Sequence, residues 1–147
     1  MRVVAVLLAA GEGRRMGGSK ALLRAGATSF LEACLAALDR PGVAARVVVT
    51  GHEAGRVAAL IPEAAGVSAA HNPDYGQGML SSVLRGVQAA EEQDADALLL
   101  HPVDHPLVEP GTVDRVLAAL AAGAVVAVPS HGGRRGHPGG FARAAWP

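Results

Sequence analysis

The chain of 147 residues has a single cysteine, Cys34. One thiol forms neither an internal disulfide nor a Cys-rich metal cluster, so a reducing, cytoplasmic setting is the expectation. It also has no excess of charge: 13 Lys+Arg balance 13 Asp+Glu. No polybasic stretch offers a grip on a nucleic-acid backbone, which rules nucleic acid down as a partner. Long hydrophobic runs are missing too. The opening MRVVAVLLAA gives way to glycines and arginines. It falls well short of the roughly 20 apolar residues that span a bilayer and does not read as a secretory signal. Lysine is the scarcest of the charged residues. Of the 13 basic residues all but Lys20 are arginine. In a chain so biased, one surviving ammonium suggests a position that needs a compact point charge on a flexible stem.

Half of the residues are apolar, and the length suits one domain over 1–147 with a single core, not a disordered chain. Arg2–Leu8, Ala45–Thr50, Ala95–His101 and Ala124–Pro129 are short apolar runs, the pattern of strands buried on both faces. Helical patterns lie between them. Ser29–Leu38 opens on the capping-box spacing Ser29-x-x-Glu32. Leu80–Glu91 and Thr112–Ala122 follow, with Thr112 as N-cap and Gly123 just past the C-terminus. A shorter helix over Ala54–Leu60 and a strand over Val67–Ala70 complete the set. Such alternation predicts right-handed βαβ units: a three-layer α/β/α domain on a mainly parallel sheet, which takes ligands where its strands end. The segments after the strands hold Lys20, Asp104, five of the six histidines and the pairs Arg14/Arg15 and Arg134/Arg135.

The segment after the first strand, Ala9-Ala10-Gly11-Glu12-Gly13-Arg14-Arg15-Met16-Gly17-Gly18-Ser19-Lys20, carries the most chemistry. Glycines let backbone N–H groups close on a phosphate, and arginine and lysine neutralise it. The dinucleotide fingerprint needs glycine at Met16, and the P-loop needs lysine before serine, so neither is met. A plain Gly-rich surface turn leaves the basic residues unexplained. The segment resembles the L-A-A-G-x-x-x-R-M-G-x-x-K-x-L signature of nucleotidyltransferases that include the molybdenum-cofactor cytidylyl- and guanylyltransferases. It matches from Leu8-Ala9-Ala10-Gly11 through Arg15-Met16-Gly17 to Lys20 and Leu22. The resemblance implies a sugar-nucleotide-transferase-like, Rossmann-like fold in which this loop holds an NTP, with Arg15 and Lys20 against the phosphates. The double alanine is more similar to the cytidylyl branch than to the L-A-G-G of the guanylyl branch, which implies CTP.

Three further segments extend the likeness. Asn72-Pro73-Asp74-Tyr75-Gly76-Gln77-Gly78-Met79-Leu80-Ser81-Ser82 is turn-rich and then helical, and either serine alone would serve as an N-cap. It is similar to the family's N-P-x-W/Y-x-x-G-M-x-x-S, a nucleotide contact. His101-Pro102-Val103-Asp104-His105-Pro106-Leu107-Val108 follows an apolar strand. A carboxylate there suits Mg²⁺, which keeps waters and substrate phosphates and needs few protein ligands. The segment resembles the family's D-x-P-L-V, with Asp104 as the metal ligand and His105 where a glutamine is frequent. A zinc-type triad of His101, Asp104 and His105 is the weaker alternative, because the prolines exclude helical spacing. Ser130–Phe141 resembles a G-x-x-G-H-P-x-x-F loop that faces the acceptor, so Arg134 or Arg135 would hold an acceptor phosphate and His137 would orient it.

Taken together, the resemblance implies transfer of a nucleotidyl group from CTP to a phosphorylated acceptor such as molybdopterin, with Mg²⁺ and release of pyrophosphate. The implied catalytic residues are Arg15, Lys20 and Asp104. The implied ligand-contacting set is Leu8, Ala9, Ala10, Gly11, Gly13, Lys20, Asn72, Gly78, Ser81, Ser82 and His137. Alternatives are a nucleotide-binding domain without turnover, or transfer from another NTP or to a phosphosugar. The family pattern continues past the last residue, Pro147, with a second acidic segment. On that footing either the chain is a truncated product or Asp104 is expected to hold Mg²⁺ with water and phosphates alone, and an open sheet edge invites homodimerisation.

Overall fold

The computed structural model describes residues 1–13 and 18–147. Its centre is a six-stranded sheet of β1 (Val3–Ala9), β4 (Ala45–Thr50), β5 (Val67–His71), β6 (Ala97–Pro102), β7 (Val126–Ala127) and β10 (Gly139–Ala142), in the order β5-β4-β1-β6-β10-β7. β1 pairs in parallel with β4 and β6, and β4 pairs in parallel with β5. A small hairpin of β2 (Arg24–Ala25) and β3 (Thr28–Ser29) and another of β8 (Ser130–His131) and β9 (Arg134–Arg135) stand outside it.

β1 is buried along its whole length, so its side chains supply both faces. Val3, Ala5, Leu7 and Ala9 enter one core with Leu31, Cys34, Leu35 and Leu38 of α1 (Phe30–Ala37) and its C-cap, and with Val113, Val116, Leu117 and Leu120 of α4 (Pro110–Ala121). Val57 of α2 (Ala54–Ala58) joins them. Val4, Val6, Leu8 and Ala10 enter the other core, under α3 (Met79–Glu91). That alternation makes the three layers. Helix α3 comes close to the sheet at Gly86, where a Cβ would stand 2.4 Å from Val6 Cγ1. The predicted capping box is present: the Ser29 hydroxyl accepts from the Glu32 N–H at 3.1 Å, and the Glu32 carboxylate accepts from the Ser29 N–H at 3.3 Å.

The C-terminal third departs from expectation. The run expected as a strand over Ala124–Pro129 pairs only at Val126–Ala127, and part of the expected Ser130–Phe141 loop is the β8–β9 hairpin. β10 then enters between β6 and β7, antiparallel to both. Its glycines explain the miss. They lack the side chains that mark a strand, yet Gly140 lies so close under α4 that a Cβ would meet Val116 Cγ1 at 2.6 Å. Helix α4 starts on Glu109 with Pro110 in its first turn, not on Thr112. Proline needs no helical N–H donor, and its fixed φ favours that position. Among the described residues no helix is long and apolar enough to cross a membrane.

Candidate active site

The chain runs from β1 out to β4 and β5 on one side, then crosses back to β6 on the other. The strand order therefore reverses beside β1, and the crevice between the ends of β1 and β6 is where a doubly wound sheet takes ligands. Residues from both strand ends build the site there.

Past β1, the Ala10 carbonyl accepts from the His52 N–H at 3.1 Å. Gly13 has φ +60°, and a Cβ on it would lie 1.7 Å from the Gly18 carbonyl oxygen. Only glycine fits both conditions. The Gly18 N–H donates back to the Gly13 carbonyl at 3.3 Å and closes the loop. Next, the Ser19 N–H donates to Glu53 Oε2 at 3.2 Å, and that bond is the main cause holding the Glu53 carboxyl below the usual range. Ser19 lines the cavity, and its buried hydroxyl has no hydrogen-bond partner among the described residues. A 3-10 turn over Lys20–Leu22 then presents Lys20.

Past β6, the Val103 N–H donates to the Leu8 carbonyl at 3.0 Å and ties the next turn to β1. That turn carries Asp104. Beneath it, His101 Nε2 lies 2.9 Å from the His105 carbonyl, and Cys34 Sγ lies 3.6 Å from the carbonyls of Val103 and His105. A carbonyl only accepts, so the His101 proton is on Nε2, and Nδ1 is buried without a partner. Burial pushes His101 down to about 4 and the Cys34 thiol up to about 12. Two neutral donors thus hold the turn that places Asp104, and Asp104 Oδ2 stands 3.4 Å from Lys20 Nζ.

The pair sits where two cavities meet. One, of about 380 Å³, is lined by Leu8, Ala9, Ala10, Gly11, Gly13, Lys20, Gly78, Ser82 and Asp104, all expected from sequence. Ser19, Tyr75, Met79, Pro102 and Val103 also line it and were not foreseen. Tyr75 and Met79 lie inside the quoted Asn72–Ser82 motif, so the signal was there; Glu53, which fixes the loop from α2, had no sequence signal. The second cavity, of about 910 Å³, is shaped by α4, the β8–β9 hairpin and the segment after Asp104, which lines it as well.

Two expected contacts take a different place. Asn72 is buried, and its amide donates to Ser81 Oγ and Ser82 Oγ, each at 2.9 Å, while its carbonyl oxygen accepts from the Asp74 N–H at 2.9 Å. Ser81 Oγ lies 2.7 Å from the Gly78 carbonyl. Both side chains are spent on folding the loop under Gly78 and Met79 and do not line the first cavity. His137 lines the second cavity, with Arg134 and Arg135 of the same acceptor-type loop, and burial lowers its pKa. Arg15 lies outside the described residues. Among the described residues no group of three His, Cys, Asp or Glu is placed to hold a metal. The His101–Asp104–His105 triad is accordingly set aside: the His101 ring is committed to the turn.

A doubly wound sheet with a glycine-rich loop at its reversal point and a lysine facing a carboxylate across the cleft defines a Rossmann-like nucleotide-binding domain of the nucleotidyltransferase kind. The chain belongs to the MobA-like NTP transferase domain family, which matches residues 5–147. It is 36% identical to a molybdenum cofactor guanylyltransferase of Cereibacter sphaeroides over 148 residues, covering all of this chain and 70% of that protein. A solved structure from Mycobacterium sp. strain JC1, a homologue of a Mycobacterium tuberculosis protein, is 32% identical with a TM-score of 0.83, covering 98% of this chain and 72% of that one. The 2-C-methyl-D-erythritol 4-phosphate cytidylyltransferase of Thermus thermophilus is 28% identical with a TM-score of 0.64, covering 98% and 72%. Nucleotidyl transfer is the reaction class of this family.

Proposed function

We propose that the first cavity binds an NTP, that the second binds a phosphorylated acceptor, and that the acceptor phosphate attacks the α-phosphorus in line and releases pyrophosphate. The observation that carries this reading is that Asp104 lines both cavities and faces Lys20 where they join. Such transfers depend on positioning and on stabilising charge, not on a covalent nucleophile. Lys20 meets the donor phosphates, and Arg134, Arg135 and His137 meet the acceptor. Arg15 is assigned to the donor phosphates on the signature alone.

The donor set suits magnesium delivered with the triphosphate: Asp104 is half-exposed, and Lys20 Nζ and His105 Nε2 stand 3.4 and 3.6 Å from its oxygens, leaving them accessible. Bound there, the ion would neutralise charge on the phosphates, with Asp104 as its ligand from this chain.

For the base we favour CTP. The Ala10 methyl fills space that glycine would leave open, against Tyr75 and Gly51, where a Cβ would lie 2.8 Å from Ala10 Cβ and 2.7 Å from Tyr75 Cβ. A filled wall favours the smaller pyrimidine. GTP is the second reading, favoured by the guanylyltransferase relatives. A phosphorylated pterin such as molybdopterin is the acceptor the sequence resemblance implies, in line with relatives named for the molybdenum cofactor. Pyrophosphate release, assayed with each of four NTPs, Mg²⁺ and molybdopterin, tests the proposal. Release with one NTP supports it; nucleotide-dependent stabilisation without release would instead indicate a binding module.

A further inference from the structure

The described arginines fall into two groups. Most hold a carboxylate or a backbone carbonyl of the fold: Arg40 engages Asp114 at 2.7 Å, Arg46 Asp39 at 3.4 Å, Arg56 Glu53 at 3.0 Å, and Arg143 the Ala95 carbonyl at 3.3 Å. Three engage neither. Arg115 makes one hydrogen bond, to the Thr112 hydroxyl at 3.2 Å, and Arg134 and Arg135 have no carboxylate within ion-pair distance among the described residues. All three line the second cavity. They come from different elements, Arg115 from α4 and the others from β9, so the cavity is cationic on two sides. The carboxylates in its lining are Asp104, already paired with Lys20, and Glu109.

One phosphate at the Lys20–Asp104 junction would leave these guanidinium groups without a counter-charge. A cavity of about 910 Å³ is also larger than a phosphate alone needs. Arg115 is pre-set for recognition: Thr112, one turn earlier on α4, engages Nη2 and leaves the rest of the planar fork to the cavity.

We infer that the acceptor carries a second anionic group besides the phosphate that attacks, and that Arg115 reads this group together with Arg134 and Arg135. This rests on the proposed function, since it takes the second cavity as the acceptor site. It adds an acceptor class, the bis-anionic phosphate ester, and a specificity residue that the sequence motifs do not include.

The test uses the full chain with the first cavity filled. Titration with the α,β-methylene analogues of CTP and GTP comes first; if neither binds, the donor reading fails, separately from this inference. With the bound analogue in place, two probes are compared by calorimetry at physiological ionic strength: glycerol 3-phosphate and glycerol 1,3-bisphosphate. The bisphosphate is expected to bind at least about tenfold tighter, as one added charge-assisted contact implies. Arg115→Ala should bring the two within about twofold while leaving the analogue's affinity unchanged, and Arg115→Lys should restore part of the difference because it keeps charge but not the fork. Equal affinities in the wild type, no binding of either probe, or a preference that survives Arg115→Ala would each overturn the inference.

Discussion

Lys20 Nζ and Asp104 Oδ2 lie 3.4 Å apart although 84 residues separate them in the chain. Each side chain is 42% exposed, so the pair adds at most about 1 kcal/mol to stability. Lys20→Ala and Asp104→Asn are therefore expected to change unfolding free energy by less than about 1 kcal/mol. Both should lower pyrophosphate release by about 10²-fold or more, the scale of losing a charge-stabilising group. Denaturant titration beside the release assay checks this, and full activity in both variants would refute the site.

Removing the Ala10 methyl should open the donor wall. Ala10→Gly is expected to shift preference from CTP towards GTP by about tenfold, a scale set by one methylene-sized change in a pocket. Competition between the two nucleotides in a single assay measures the ratio directly, and an unchanged ratio would remove Ala10 from base selection.

Gly13→Ala should distort the loop without unfolding the sheet. The new Cβ would require both a left-handed backbone at φ +60° and a contact 1.7 Å from the Gly18 carbonyl. The expected result is a loss of about 1–3 kcal/mol and no stabilisation by added NTP. Thermal melts with and without nucleotide separate the two effects.

His101 sets an acid limit on stability. Its pKa is about 4 in the fold against an ordinary 6.5. As pH falls below 6.5 the unfolded chain takes up a proton there that the folded chain refuses, so stability present above that pH is lost progressively towards 4. The full effect is about 3 kcal/mol. His101→Gln, which keeps a donor for the His105 carbonyl, should flatten the profile between pH 7 and 4.5; His137, lowered in the same direction, contributes to the slope that remains, as do the lowered carboxyls of Glu32 and Glu53 at its acid end. An unaltered profile would show that His101 does not titrate this way.

Cys34 should be inert in the native state. With its pKa pushed up to about 12, the thiolate is scarce at pH 8 and the sulfur is buried. Iodoacetamide is expected to label the protein in denaturant and not before, as mass spectrometry would show.

Much of this was legible from residue types. Unbroken apolar runs such as Val3–Ala9 mark a strand buried on both faces, and the glycines and basic residues beyond it mark the binding end. The unforeseen parts depend on contacts between distant residues. Glycine at 139 and 140 hides a strand because its warrant is the closeness of α4, not a side chain of its own. Asn72 looked like a ligand contact because its segment borders the site, but its amide is consumed by Ser81, Ser82 and Asp74. The open guanidinium of Arg115 shows only when α4 and the hairpin are seen to share a wall.

Asp104 forms part of both cavities, so on the proposed reading donor and acceptor are expected to be thermodynamically interdependent. Whatever free energy the first arrival gains or loses by reorienting this carboxylate is felt by the second, and linkage requires the effect to be equal in either order of addition. One side chain thus couples the occupancy of the two halves of the cleft, and no rearrangement of the sheet is needed for either half to sense the other.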